Sequence, residues 1–177
     1  MFFIPGPVIA LVTFPGVIVH EAAHQFMCRL TNTPVLKVCY FRMGDPCGYV
    51  LHGRPSSPWK HFLISVAPFL FNSILAVLVA LPTALAAVSK GEMHPQDLLL
   101  GWLGISIGMH ALPSSGDARS LWAAMKEKGT PWLLKLVGIP VTGLILLASV
   151  LSFFWFDAIY ATFLCFGIPA VTLEWLA

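Results

Sequence analysis

Long apolar runs alternate with short polar interruptions along this chain, and the run lengths organise it. A helix crossing the hydrocarbon core of a bilayer needs about 20 mostly apolar residues. Five stretches approach that length: 3–29, 61–89, 97–112, 132–156 and 158–176. The pattern predicts an all-α integral membrane bundle of about five transmembrane segments, within a range of four to six. The third stretch is short and rich in glycine. The last two are divided only by Asp157, and read as a tight helical hairpin or one broken re-entrant element. The interruption between the first two is different in kind. Its middle, PVLKVCYFRMGDPCGYVLH, has β-rich runs on either side of Met43-Gly44-Asp45-Pro46, a turn signal. A small hairpin over 35–52 at the membrane surface is the expectation, with Val35–Phe41 and Cys47–His52 as its strands.

Composition identifies the solvent. Of the 177 residues, 58% are hydrophobic and 10% charged, whereas a soluble domain carries roughly 25% charged residues. The length suits a single domain over 1–177. A formal charge of +2 without a basic run points away from a nucleic-acid partner. The first residues lack a basic leader and a small-residue cleavage site, so they read as a retained helix rather than a signal peptide. Cys39 and Cys47 share the hairpin, whose expected cytoplasmic placement argues against a disulfide.

Charge then sets an orientation. With five spans, the hairpin, the 113–131 segment and the C-terminus share one side. Arg29, Lys37, Arg42, Arg54, Lys60, Arg119, Lys126 and Lys128 fall there, with Lys135 nearest it, while Lys90, Glu92, Asp97 and Asp157 fall opposite. Lysine and arginine gather on the cytoplasmic face. The hairpin and the 113–131 segment are therefore expected in the cytoplasm and the N-terminus across the membrane.

One constellation carries chemistry. His20-Glu21-Ala22-Ala23-His24 fits H-E-x-x-H, and residues four apart share one helix face, so both imidazoles can reach one metal ion. Glu21 projects beside them, where it can serve as general base on a water activated by zinc. Ionisable groups inside an apolar span are costly and usually functional. A catalytic zinc takes three protein ligands. Asp117 follows the third span at the cytoplasmic end, at a depth that suits His24; Asp45, the competing carboxylate, reads as part of the hairpin turn. Asn72, inside the second span, must find a hydrogen-bond partner and can join neighbouring helices. His110, at the end of the third span, can cap that helix, ligate the metal or donate a hydrogen bond to a transition state. His52, His61 and His94 read as interfacial or loop residues, and Trp59, Trp132, Trp155 and Trp175 as interface anchors.

Over about residues 15–120 this arrangement resembles the site-2 protease family of intramembrane zinc metalloproteases. Ala67-Pro68-Phe69-Leu70-Phe71-Asn72 is similar to that family's Gly-Pro-x-x-Asn stretch, and Pro113–Asp117 stands where the family has a proline-rich segment ending in Asp-Gly. The chain departs from the pattern in three ways. Ala118 follows the aspartate, the proline-to-Asp117 spacing is shorter by one, and His110 stands near a family asparagine. The resemblance implies Zn2+ held by His20, His24 and Asp117, catalysis by Glu21, and a substrate- or oxyanion-binding role for Asn72. It also implies hydrolysis of peptide bonds in membrane-protein substrates, in or beside the bilayer. Two alternatives stay open. A prenyl-protein-type membrane protease would need a glutamate as third ligand, drawn from Glu92, Glu127 or Glu174. A metal-binding scaffold or sensor would have no use for Glu21. Oligomeric state is open, with Gly101, Gly104 and Gly108 able to pack closely against a helix within the chain or of a second chain.

Overall fold

The computed structural model describes residues 6–89 and 93–176; Lys90 and Glu92 lie outside them. The first apolar run is not one straight helix. It forms α1 (Gly6–Val12) and α2 (Phe14–Leu30), bent by 89° at the break. Pro15 is the cause: it offers no N–H to the Leu11 carbonyl and its ring crowds the preceding turn. Gly16 then lets α2 lie directly on a neighbour, since a Cβ there would fall 1.9 Å from the Ser106 carbonyl oxygen. The Trp102 indole N–H donates to the Val12 carbonyl at 3.1 Å, so the bend is not left with a bare acceptor.

The hairpin forms as expected, over slightly shorter strands. β1 (Val35–Cys39) and β2 (Tyr49–His52) run antiparallel, with Val38 opposite Val50 and Cys39 opposite Tyr49. Cys39 and Cys47 are free thiols. The chain then enters α3 (Pro58–Val88), capped by the Ser57 hydroxyl accepting from the Lys60 N–H. Next come α4 (Pro95–Met109), α5 (Ser115–Lys126) and α6 (Trp132–Leu151). A 3-10 turn (Ser152–Phe154), α7 (Phe156–Thr162), a π turn (Phe163–Gly167) and α8 (Ile168–Leu176) complete it. The break between the last two apolar runs falls at Trp155, in the left-handed region at φ 63°.

Among the described residues, two helices are long and apolar enough to cross a membrane: α3, and α6 with its 3-10 extension to Phe154. A third is added if the bent α1–α2 pair counts as one span. Their outward residues suit lipid, with Ile74, Leu78, Leu144 and Val150 each 60% or more exposed. The other two expected spans are shorter. Helix α4 has 15 residues, bounded by a His94–Asp97 capping box and by Pro113 beyond its end, and the last apolar helical run, Phe156–Thr172, is interrupted by the π turn.

Helix α4 is seated deep in the bundle through its glycines. A Cβ on Gly104 would fall 2.6 Å from the Ala80 Cβ of α3, and one on Gly108 would fall 2.9 Å from the Ala161 Cβ of α7. The glycine face is thus consumed inside the chain. Helix α5 packs on α6 through a core of Leu121, Met125 and Leu134, and the Met125 sulfur fills the space beside Gly138. These contacts bring the N-terminus of α5 to the inward face of α2.

Candidate metal centre

His20, Glu21 and His24 are all buried on the inward face of α2. The two rings lie edge to face with centroids 4.9 Å apart, the geometry of i, i+4 neighbours. Asp117 arrives from α5, where it is the third residue after the N-cap. Its Oδ2 accepts from the Ser114 N–H at 2.8 Å and the Ser114 hydroxyl at 2.7 Å, and Asp117 returns its own N–H to that hydroxyl. This capping box orients the carboxylate before any ligand is considered. Burial pushes the Asp117 carboxyl up, while the adjoining His24 and His20 side chains and the Ser114 hydroxyl hold it below the usual carboxylate range.

The ligand atoms converge. His24 Nε2 is 3.3 Å from Asp117 Oδ1, and His20 Nε2 is 3.9 Å from Asp117 Oδ2. All three possible donors lie within 4.8 Å of one another. At these distances the three donor atoms could hold one cation between them.

What fixes the rings is main chain. His20 Nδ1 lies 2.7 Å from the His110 carbonyl oxygen, and His24 Nδ1 lies 2.9 Å from the Ile64 carbonyl oxygen. A carbonyl only accepts, so each Nδ1 carries a proton and each Nε2 is left as the metal-facing nitrogen. Both carbonyls are available for the same reason. Pro68 has no N–H to give Ile64, four residues earlier in α3. His110 is the C-cap of α4, where no following helical N–H exists. Two oriented imidazoles and one carboxylate make a donor set of the kind that a divalent metal ion takes.

Glu21 lies between the histidines, and the hairpin presses on it. A Cβ at Gly48 would fall 2.7 Å from Glu21 Cγ and 3.0 Å from its Oε1. A cavity of about 540 Å³ opens beside these residues, walled by Cys47–Val50 of the hairpin and by Ser114–Asp117.

The remaining sequence candidates separate clearly. Asn72 is fully buried; its amide donates to the Gly16, Ile107 and His110 carbonyls at 3.2–3.4 Å, and it does not line the cavity. His110 caps α4 and lines the cavity without joining the three-ligand group; its Nε2 lies 2.8 Å from the Thr13 hydroxyl oxygen. Asp45 lines the cavity without joining that group. Glu127 pairs with Arg54 at 2.9 Å. His61 hydrogen-bonds Ser120, and His94 begins α4. Glu92 and the side chain of Glu174 fall outside what is described. Sequence reasoning passed over Gly48, Thr13 and the two carbonyls. Only the Ile64 carbonyl left a signal, in Pro68 four positions on. No family model, curated protein or solved structure matches the chain, so the geometry of its own residues carries the functional argument.

Proposed function

We propose that the chain is an intramembrane zinc metallopeptidase that hydrolyses peptide bonds of membrane-protein substrates near the cytoplasmic face. The observation that carries this reading is the convergence of His20, His24 and Asp117, from helices far apart in sequence, with Glu21 between the histidines and beside an open cavity. The lysine and arginine asymmetry supports a cytoplasmic hairpin and 113–131 segment, with α4 and the last helical run as shorter, partly crossing elements.

Zinc bound there supplies Lewis acidity toward a peptide carbonyl and a water of lowered pKa. The protein's own residues supply the rest. Glu21 takes the proton of the attacking water and returns it to the leaving amine, a role worth about 10²–10⁴ in rate. Ser114 keeps the Asp117 carboxylate turned toward the histidines. The hairpin closes the cavity over Glu21, and a substrate must enter it extended, because a helix hides its scissile amide.

The test is metal content per chain in purified protein, followed by peptidase assay. Wild type and Glu21→Gln are expected to hold one zinc each, with turnover lost only in the variant, while Asp117→Ala loses or weakens the metal. A folded wild type without stoichiometric metal would end the reading. Metal retained by a wild type that cleaves nothing, with Glu21→Gln indistinguishable from it, would favour a binding scaffold.

A further inference from the structure

The His110 carbonyl oxygen is a junction. It lies 2.7 Å from His20 Nδ1 and 3.2 Å from Asn72 Nδ2. The His110 ring is anchored separately. The Thr13 hydroxyl spends its only proton on the Ile9 carbonyl at 2.7 Å, so the contact to His110 Nε2 at 2.8 Å is donated by the imidazole. Residue 110 is thus held at both ends, by Thr13 from the α1–α2 bend and by Asn72 from α3. Each of these side chains is buried, Asn72 completely and Thr13 to within 6% exposure.

The Asn72 amide is placed among main-chain acceptors. Its two amide protons are divided among three carbonyls, those of Gly16 on α2 and of Ile107 and His110 on α4, which accounts for bonds of 3.2–3.4 Å. All three carbonyls lie at the crossing of α2, α3 and α4. Among the residues walling the cavity Asn72 has no part.

We propose that Asn72 and Thr13 are positioning residues for the metal centre: they fix the His110 carbonyl, which in turn fixes the ring rotation of His20. The proposal rests on the reading of His20, His24 and Asp117 as metal ligands, and it departs from a role for Asn72 at the substrate. Outer partners of metal-bound histidines are typically worth 10–100-fold in metal affinity. Here that effect is carried through one main-chain oxygen.

Cobalt(II) titration of the purified full chain, read by ligand-field absorption, tests it. Asn72→Leu and Thr13→Val are expected to weaken Co2+ binding on the order of 10-fold or more and to alter the band shape, which reports ligand geometry. Thr13→Ser, which keeps the hydroxyl, restores both. Thr83→Val is the structural control, because Thr83 also joins α3 to α4, through the Asp97 carbonyl, but at the other end of the helices. It should leave affinity and spectrum as in wild type. Should Asn72→Leu fail to fold, the Thr13→Val and Thr13→Ser pair decides alone. Wild-type affinity and spectrum in folded Asn72→Leu or Thr13→Val would overturn the proposal, and so would an equal loss in Thr83→Val. A wild type that binds no Co2+ removes the metal reading itself, and this proposal with it.

Discussion

At Gly48 the space a side chain would take is filled by Glu21. Gly48→Ala would therefore push the glutamate rather than the metal ligands, whose positions are set by α2 and α5. Peptidase turnover should fall about 10²-fold, the scale of a 1 Å misplacement, while zinc content stays at the wild-type level; measuring both on one preparation separates the two. Glu21 itself was legible because it belongs to a five-residue pattern whose meaning is local: one helix brings the two histidines together whatever the rest of the chain does. Asp117 was legible for a different reason. Charge bias gave an expected side and helix rise an expected depth, leaving few carboxylates able to meet His24. Gly48 and Thr13 were not legible, because nothing in their neighbours announces which distant atom they face.

The elements divide in the same way. The hairpin declared itself through a turn signal between β-branched and aromatic runs, and the lengths of α3 and α6 through unbroken hydropathy. The 89° bend between α1 and α2 did not. Apolar residues continue on both sides of it, and a count of hydropathy is blind to direction; Pro15 was the only mark. Helix α4 was read as a span because it is apolar, but an apolar helix is equally suited to burial among others. Its glycines bring it against α3 and α7, a packing that hydropathy alone does not show. Gly104→Val should accordingly destabilise by about 1–3 kcal/mol, the usual cost of overpacking a filled core, measured as the shift in thermal unfolding in detergent. Gly143, with open space around it, should tolerate the same change with a far smaller shift.

At the scale of the molecule, the candidate ligands come from two groups of helices. Histidines belong to α2, seated against α3 and α4, and Asp117 to α5, seated mainly against α6 and touching α3 through Phe62 and the His61–Ser120 hydrogen bond. The exposed Arg54–Glu127 pair also bridges toward α5, but a pair of that kind contributes under about 1 kcal/mol. An ion shared by the two groups should therefore act as a cross-link. With zinc at about 100 times its dissociation constant, the folded state gains roughly 2.7 kcal/mol, so a chelator should lower the unfolding temperature of wild type. In Asp117→Ala the chelator should have little further effect. A chelator-independent wild type would mean that the two groups are held together by apolar packing alone.

The oxygens that hold the two imidazoles belong to the peptide backbone, and this has a consequence for genetics. Replacing the side chain of Ile64 with another helix-compatible residue leaves its carbonyl in place, so a single-residue scan across α3 would report that position as dispensable for the centre. The dependence would surface only in changes that alter who claims the carbonyl, such as giving residue 68 an N–H. Alanine scanning would therefore register this part of the centre at Pro68 and not at Ile64, whose carbonyl does the holding, and an inventory of essential side chains would assign it to the wrong residue.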